Sequence, residues 1–286
     1  MSAPVDILSL SKSYGQQSIL KSLNWQIPSG SIIGLLGRNG AGKSTLIECL
    51  LGLRDFQQGE IRLFGENVKQ LSAASKAKIG YVPQTPDIFG WLTAKQLFAY
   101  FKAMYPRWNE AKIATLMRNW DLPSDKIINK LSVGQKQKIS IIRALAHEPE
   151  LLILDEPVSS LDPAGRRDFL RELVAQIDQQ TTIVFSTHIL SDLERIAMDV
   201  AFLNHGCISL QQPLDVLMDN TRKITGSTST IQKLDIGNPL KRAELANGYS
   251  SVLAQFSEAE LSELNRHTDM RIEKLGLEDL FIELTK

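Results

Sequence analysis

Two cysteines in 286 residues, Cys49 and Cys207, are too few for a disulfide framework. Each lies in an apolar stretch and reads as a reduced, partly buried thiol, which excludes a disulfide-built scaffold. An excess of one charge is missing too. Lys+Arg and Asp+Glu both number 32, so there is no global basic field, and nucleic acid is not expected as a partner. Long apolar runs are absent, since no window approaches the roughly 18 consecutive apolar residues that span a bilayer. The opening Met-Ser-Ala-Pro-Val-Asp lacks a charged segment followed by an apolar one, so no signal peptide is expected. His267 with Glu263 and Asp269 lacks metal-ligand spacing, and His147 and His205 read as surface or loop residues. A protein of this kind that works at a membrane must borrow one from a partner.

What is present is ordinary for a soluble globular chain: 43% hydrophobic and 22% charged residues, enough for a full α/β domain plus a smaller attachment. Val5–Leu10 and Ser18–Ile27 read as strands, the second ending at the Pro28-Ser29-Gly30 turn. Ser31–Leu36, Gly59–Phe64 and Ile79–Val82 read as further strands, with a helix from about Gly42 to Leu51. From about 93 to 146 the period becomes helical, with Leu97, Tyr100, Phe101 and Met104 and then Ile113, Leu116, Met117 and Trp120 at three- and four-residue spacing. Leu151–Leu154 is a short apolar run that suits a strand buried on both faces. Ile183–Ser186 and Val200–Asn204 read as two more strands, with a helix between them around Leu190–Ile196.

Beyond Gln212 the composition shifts. The Thr- and Ser-rich stretch Thr221–Thr230 reads as a linker. Ile231–Ile236 and Val252–Phe256 read as strands. Ser257-Glu-Ala-Glu260 reads as a capping box opening a helix toward Arg266, and Leu277–Leu284 as a last helix. Residues 1–214 are thus expected to form one domain, with a helical subdomain at about 85–145, and 215–286 a small α+β appendage.

The strongest local signal is Gly37-Arg-Asn-Gly-Ala-Gly-Lys-Ser44, followed by Thr45, set between a strand and a helix. It matches G-x-x-x-x-G-K-[ST]. Gly37, Asn39, Gly40, Ala41 and Gly42 let the backbone fold so that several N–H groups face phosphate oxygens, at the positive end of the following helix. Lys43 would reach the β- and γ-phosphates, and the Ser44 hydroxyl would help hold Mg²⁺. This loop is expected to bind a nucleotide. Leu151-Leu-Ile-Leu-Asp-Glu156 is an apolar strand ending in two carboxylates: Asp155 is placed to organise Mg²⁺, and Glu156 to act as general base on water. Leu131-Ser-Val-Gly-Gln135 precedes a helix, so Ser132 alone reads as an N-cap and Gly134 as a loop residue.

Taken together these segments resemble the ATP-binding cassette family, whose signature is commonly Leu-Ser-Gly-Gly-Gln. Gln84 after a strand, Ser160-Leu-Asp162 after the acidic pair and His188 after the next strand complete the order over about residues 5–212. The resemblance implies a RecA-like P-loop NTPase core with an inserted helical subdomain. It further implies two subunits, expected as a homodimer, that sandwich ATP head to tail between one P-loop and the partner's Ser132, Gly134 and Gln135. Tyr14 would stack on adenine, and Gln84 would sense the γ-phosphate and Mg²⁺. His188 would position the attacking water, and Asp162 would couple the two sites. Val133 departs from the common signature at its first glycine, and a β-branched residue there restricts the backbone.

The chain has no long heptad insertion, a single cassette and no fused membrane domain, so separate multi-span permease subunits are expected. Tyr105-Pro-Arg-Trp-Asn109, Ser160-Leu-Asp-Pro163 and Leu277-Glu-Asp-Leu-Phe-Ile-Glu-Leu-Thr285 resemble ABC-2 type exporter ATPases of bacteria, which implies a cytoplasmic subunit held on the inner face of the cell membrane. A cassette that sends a mechanical signal instead of driving transport is the alternative, and an importer subunit is a third reading. Phe89, Trp91 and Leu92, just after Gln84, are candidates for the permease contact, with Trp91 open between interface and core. Trp25, Trp108 and Trp120 read as core.

Overall fold

A computed structural model describes residues 3–86, 88–176, 181–188, 190, 199–234, 236–264 and 269–285. The chain divides into two compact units, Met1–Gln211 and Gln212–Lys286. The first begins with β1 (Val5–Tyr14), β2 (Gln17–Ile27), β3 (Ile32–Leu36), α1 (Lys43–Leu50), β4 (Gln58–Leu63), β5 (Glu66–Asn67), α2 (Ala73–Lys76) and β6 (Ile79–Val82). It continues through α3 (Ala94–Lys102), α4 (Glu110–Asn119), α5 (Val133–Ala146), β7 (Leu151–Asp155), α6 (Pro163–Gln176), β8 (Thr182–Ser186), β9 (Asp199–Asn204) and β10 (Cys207–Pro213).

Two sheets share one core. β2-β1-β4-β5 is antiparallel. The other sheet runs β10-β9-β3-β8-β7-β6, and the pairs from β9 through to β6 are parallel. β7 and β8 are buried at every position, as expected of strands covered on both faces. Leu46, Ile47, Cys49 and Leu50 of α1 pack in a cluster that holds Ile7, Leu23 and Trp25 of the antiparallel sheet and Leu35, Ile153 and Val184 of the parallel one. Each such side chain contributes about 1.5–3 kcal/mol on burial. α1 is therefore anchored to both sheets, and the loop before it is held from both sides.

Between β6 and β7, neighbours in the sheet, the chain departs into the helical segment. Capping boxes start α3 (Thr93 with Gln96) and α5 (Ser132 with Gln135), and Asn109 caps α4. α5 then returns to the edge strand β6, donating from Gln137 Nε2 to Pro83 O (3.3 Å) and from Arg143 Nη2 to Tyr81 O (3.0 Å). His147 Nε2 meets Ile79 O at 3.1 Å. His147 is thus no surface residue. It is 2% exposed and stacked on Tyr105, because its ring supplies a donor to a strand edge that would otherwise be buried unpaired. Trp25 and Trp120 are buried and Trp108 is half-buried.

The second unit contains α7 (Leu214–Asn220), β11 (Thr221–Ser227), α8 (Thr228–Lys233), β12 (Lys241–Glu244), β13 (Tyr249–Gln255), α9 (Glu258–Leu264), β14 (Met270–Glu273) and α10 (Leu277–Thr285). Its sheet order is β12-β13-β11-β14, antiparallel throughout, which with two intervening helices is a split βαβ topology. Two expectations are overturned here. Thr221–Thr230 is no linker: its first seven residues form β11, an interior strand of this sheet, and its last three open α8. Ile231–Ile236 is no strand, since Thr228–Lys233 is helical. The cause is that the Ser and Thr residues do local work. Ile224 is buried among Ile231, Val252, Ala254 and Phe256, while Ser227 accepts from Thr230 N–H as the helix cap. The helix expected at Leu190–Ile196 lies, apart from Leu190, outside the described residues, as does the end of the helix expected toward Arg266.

Candidate nucleotide site

β3 ends at Leu36, and the chain must turn at once into α1. A Cβ at Gly37 would stand 2.8 Å from Leu203 O, and one at Gly42 would stand 2.7 Å from Ile19 Cγ2 with φ at +102°. Only glycine fits both places. Gly42 is the N-cap of α1, where no side chain accepts from the helix and no acidic residue occupies the first turn. The positive helix end is therefore left open to an outside anion. Ala41 N–H closes the turn on Arg38 O at 3.0 Å. Asn39 and Gly40 are exposed at its tip, and Ser44 and Thr45 are half-buried behind it.

Lys43 is 6% exposed, donates to Gly37 O at 2.8 Å and lies 3.9 Å from Glu156 Oε1. Burial pushes its pKa down, while Glu156 and Asp155 pull the other way. Among the described residues no carboxylate comes within hydrogen-bond distance of this buried ammonium, which suits it to an incoming phosphate. Across the site, Asp155 ends β7 and Glu156 follows with a left-handed φ of +45°, uncommon for a residue with a side chain. That turn aims the two carboxylates differently. Glu156 Oε1 faces Lys43, while Oε2 accepts from His188 Nδ1 at 2.8 Å. Asp155 takes hydrogen bonds from Ser186 and Ser44, which oppose the upward push of burial on its pKa. Lys43, Ser44, Asp155, Glu156 and His188 are thus brought together. Ser186 joins them, although a serine at the end of an apolar strand carries no motif in the sequence.

The other candidate residues stand elsewhere on this chain. Tyr14 ends β1 exposed, with Lys12 Nζ 5.0 Å and the Arg54 guanidinium 5.5 Å from its ring centroid. Ser132 and Gln135 bond to each other across the first turn of α5, at 3.2 and 3.1 Å. Gly134 lies inside that turn and not in a loop, because the capping box extends the helix to Val133. Leu161 lies beside it, since a Cβ at Gly134 would stand 3.3 Å from Leu161 Cδ2. Gln84 is exposed after β6. Asp162 accepts from Gly165 N–H at 2.7 Å at the start of α6, which holds its pKa down. Trp91 is 70% exposed and therefore not core. Its ring lies 5.2 Å from Phe89, which in turn contacts Tyr100 and Phe101.

A phosphate-binding turn at a helix N-terminus, faced by an acidic pair at the end of a central parallel strand, defines a P-loop nucleotide-binding protein. Residues 20–159 match the ABC transporter family. The chain is 36% identical over 227 residues to the bacitracin transport ATP-binding protein BcrA of Bacillus licheniformis, covering 78% of this chain and 74% of that one. It is 31% identical over 294 residues to the Nod factor export ATP-binding protein I of Bradyrhizobium diazoefficiens, covering 98% and 96%. A solved ATP-binding subunit of an ABC transporter superposes with a TM-score of 0.68 at 29% identity, covering 75% of this chain and 92% of that one. The chain belongs to the ABC transporter ATP-binding family and is an ABC ATPase. Among the described residues no helix is long and apolar enough to cross a membrane.

Proposed function

We propose that this chain is the ATPase subunit of an ABC-2 type exporter, working as a homodimer on separate multi-span permease subunits at the inner face of the cell membrane. The observation that carries the reading is the buried Lys43 at an uncapped helix end, opposite Glu156 and His188. Lys43 and the N–H groups of the loop bind the β- and γ-phosphates of ATP. Glu156 accepts a proton from water as its oxygen attacks the γ-phosphorus, the bond to the β–γ bridging oxygen breaks and ADP leaves. His188 holds Glu156 Oε2 and orients the water.

Among the described residues no group of three His, Cys, Asp or Glu is built to hold a metal alone. Mg²⁺ suits that poverty, because it is commonly held by one or two carboxylates together with substrate phosphates. Asp155 and Ser44 would hold it, with Gln84 as the residue that senses it, and when bound it would neutralise phosphate charge. Ser132, Gly134 and Gln135 complete the partner's site, Tyr14 stacks on adenine, and Asp162 couples the two halves. Residues 1–214 are the motor and 215–286 an accessory domain. The Phe89, Trp91 and Leu92 segment just past Gln84, where Trp91 is exposed and its ring lies against the half-buried Phe89, is the permease contact. Relatives named for bacitracin transport and for Nod factor export support the exporter reading.

Glu156→Gln tests it. The variant is expected to lose about 100-fold or more in ATPase rate, the scale of a lost general base, and to trap the ATP-bound dimer. Tagged Glu156→Gln protein recovered from solubilised native membranes with Mg-ATP should bring a multi-span permease with it. Adding Trp91→Ala should keep the dimer and lose the permease. A dimer recovered with no membrane protein would overturn the exporter reading.

A further inference from the structure

β7 and β8 are parallel neighbours in register, and that register sets Asp155 opposite Ser186. Ser186 is fully buried. Its hydroxyl hydrogen is committed, because Ser186 Oγ donates to Asp155 Oδ1 at 2.6 Å. The same oxygen accepts from Glu156 N–H at 3.0 Å, while the backbone carbonyl of Ser186 takes the same N–H at 3.1 Å. One side chain thus ties the carboxylate of one acidic residue to the backbone of the next. The tie falls where it matters, since Glu156 carries the left-handed φ that separates the two carboxylates. A residue in that conformation persists where its surroundings over-determine it. His188, two residues past Ser186, reaches Glu156 from the other side. The end of β8 and the turn after it therefore grip the acidic pair at three atoms: Asp155 Oδ1, Glu156 N and Glu156 Oε2.

We infer that Ser186 is a positioning residue for ATP hydrolysis, fixing the direction of the Asp155 carboxylate and the backbone turn that presents Glu156. Its hydroxyl is committed to Asp155 and Glu156, so it acts through its two neighbours. An alanine leaves Asp155 Oδ1 short of a donor in a buried site, and leaves Glu156 N–H with the backbone carbonyl alone. Asp155 is then held by Ser44 alone, and the loss falls on steps that need both carboxylates aimed, not on the hold of Lys43 and the loop on phosphate.

This inference rests on the ATPase reading of the site, so the experiment carries Glu156→Gln as a control. On the full-length chain, kcat, KM, thermal midpoint and affinity for a fluorescent ATP analogue, with and without Mg²⁺, are measured for wild type, Ser186→Ala and Ser186→Thr. The expected result for Ser186→Ala is a kcat about 10-fold lower with KM within about 2-fold, unchanged analogue affinity without Mg²⁺, and a smaller gain in affinity when Mg²⁺ is added. Ser186→Thr keeps the hydroxyl and should recover most of both losses. Wild-type kcat and a wild-type Mg²⁺ gain in Ser186→Ala would overturn the inference. So would a parallel fall of kcat, Mg²⁺-free affinity and thermal midpoint, which marks a purely structural role. A Thr variant with wild-type thermal midpoint but no recovery over Ala would also overturn it. A Glu156→Gln chain as active as wild type would sink the reading of the site itself, whatever Ser186 does.

Discussion

Val133 is the residue at which this chain leaves the common signature of its family, and its position in the fold decides what that departure costs. It is the first residue of α5, its backbone is helical and its side chain is 58% exposed. The turn is fixed by the mutual bonds of Ser132 and Gln135, and neither needs glycine between them. A β-branched residue at a helix start restricts nothing that the capping box does not already restrict. Val133→Gly is therefore expected to keep ATP-driven dimerisation, read by size exclusion in a Glu156→Gln background. It should cost at most about 1 kcal/mol of helix stability, read by thermal unfolding. Complete loss of the dimer would assign the valine side chain a contact of its own. At this scale the phosphate loop and the acidic pair were legible, because their chemistry sits on residues close together in the chain. Ser186 was not legible. Its meaning comes from strand register across 31 positions, and a single serine at a strand end looks like any other.

Among the elements, α5 and β6 illustrate how a polar residue comes to be buried. β6 is the edge of the parallel sheet, and the carbonyls of Ile79 and Tyr81 within it and of Pro83 just past it all take part in hydrogen bonds. α5 satisfies them in turn with His147, Arg143 and Gln137, so the helix that begins at the signature is bonded along the strand that leads to Gln84. A histidine after a helix invites a surface reading, and only the tertiary pairing reverses it. Burial pushes the pKa of His147 down from 6.5 to about 4. The folded state therefore holds the ring neutral while the unfolded chain takes up a proton first. That contribution is full above about pH 6.5 and is lost as pH falls toward about 4. By linkage it amounts to about 2 kcal/mol between pH 7.5 and 5. Urea unfolding at the two pH values should show that His147→Gln, which can still donate to Ile79 O, loses about 2 kcal/mol less on acidification than wild type. Equal losses would mean that His147 does not titrate across the fold.

At the scale of the whole molecule, each unit has a hydrophobic core of its own: one joins the two sheets of the first unit through α1, the other sits on the sheet of the second around Ile224 and Val252. The first was foreseen nearly strand for strand, because continuous apolar runs such as Leu151–Leu154 leave little choice of environment. The second was misread in its first half, because Thr221–Ser227 is an interior strand written largely in polar residues. Lys223 there meets Glu283 of α10 at 2.8 Å. A nucleotide that binds Lys43 and the loop stabilises the unit that contains them. At a concentration about 100-fold above its Kd the gain is about 2.7 kcal/mol. Calorimetry of the full chain with and without Mg-ATP is thus expected to show two transitions, of which one rises with nucleotide and the other stays. In Lys43→Ala neither should move. If both rise together in wild type, the two cores unfold as one cooperative body, and the second unit is energetically part of the first.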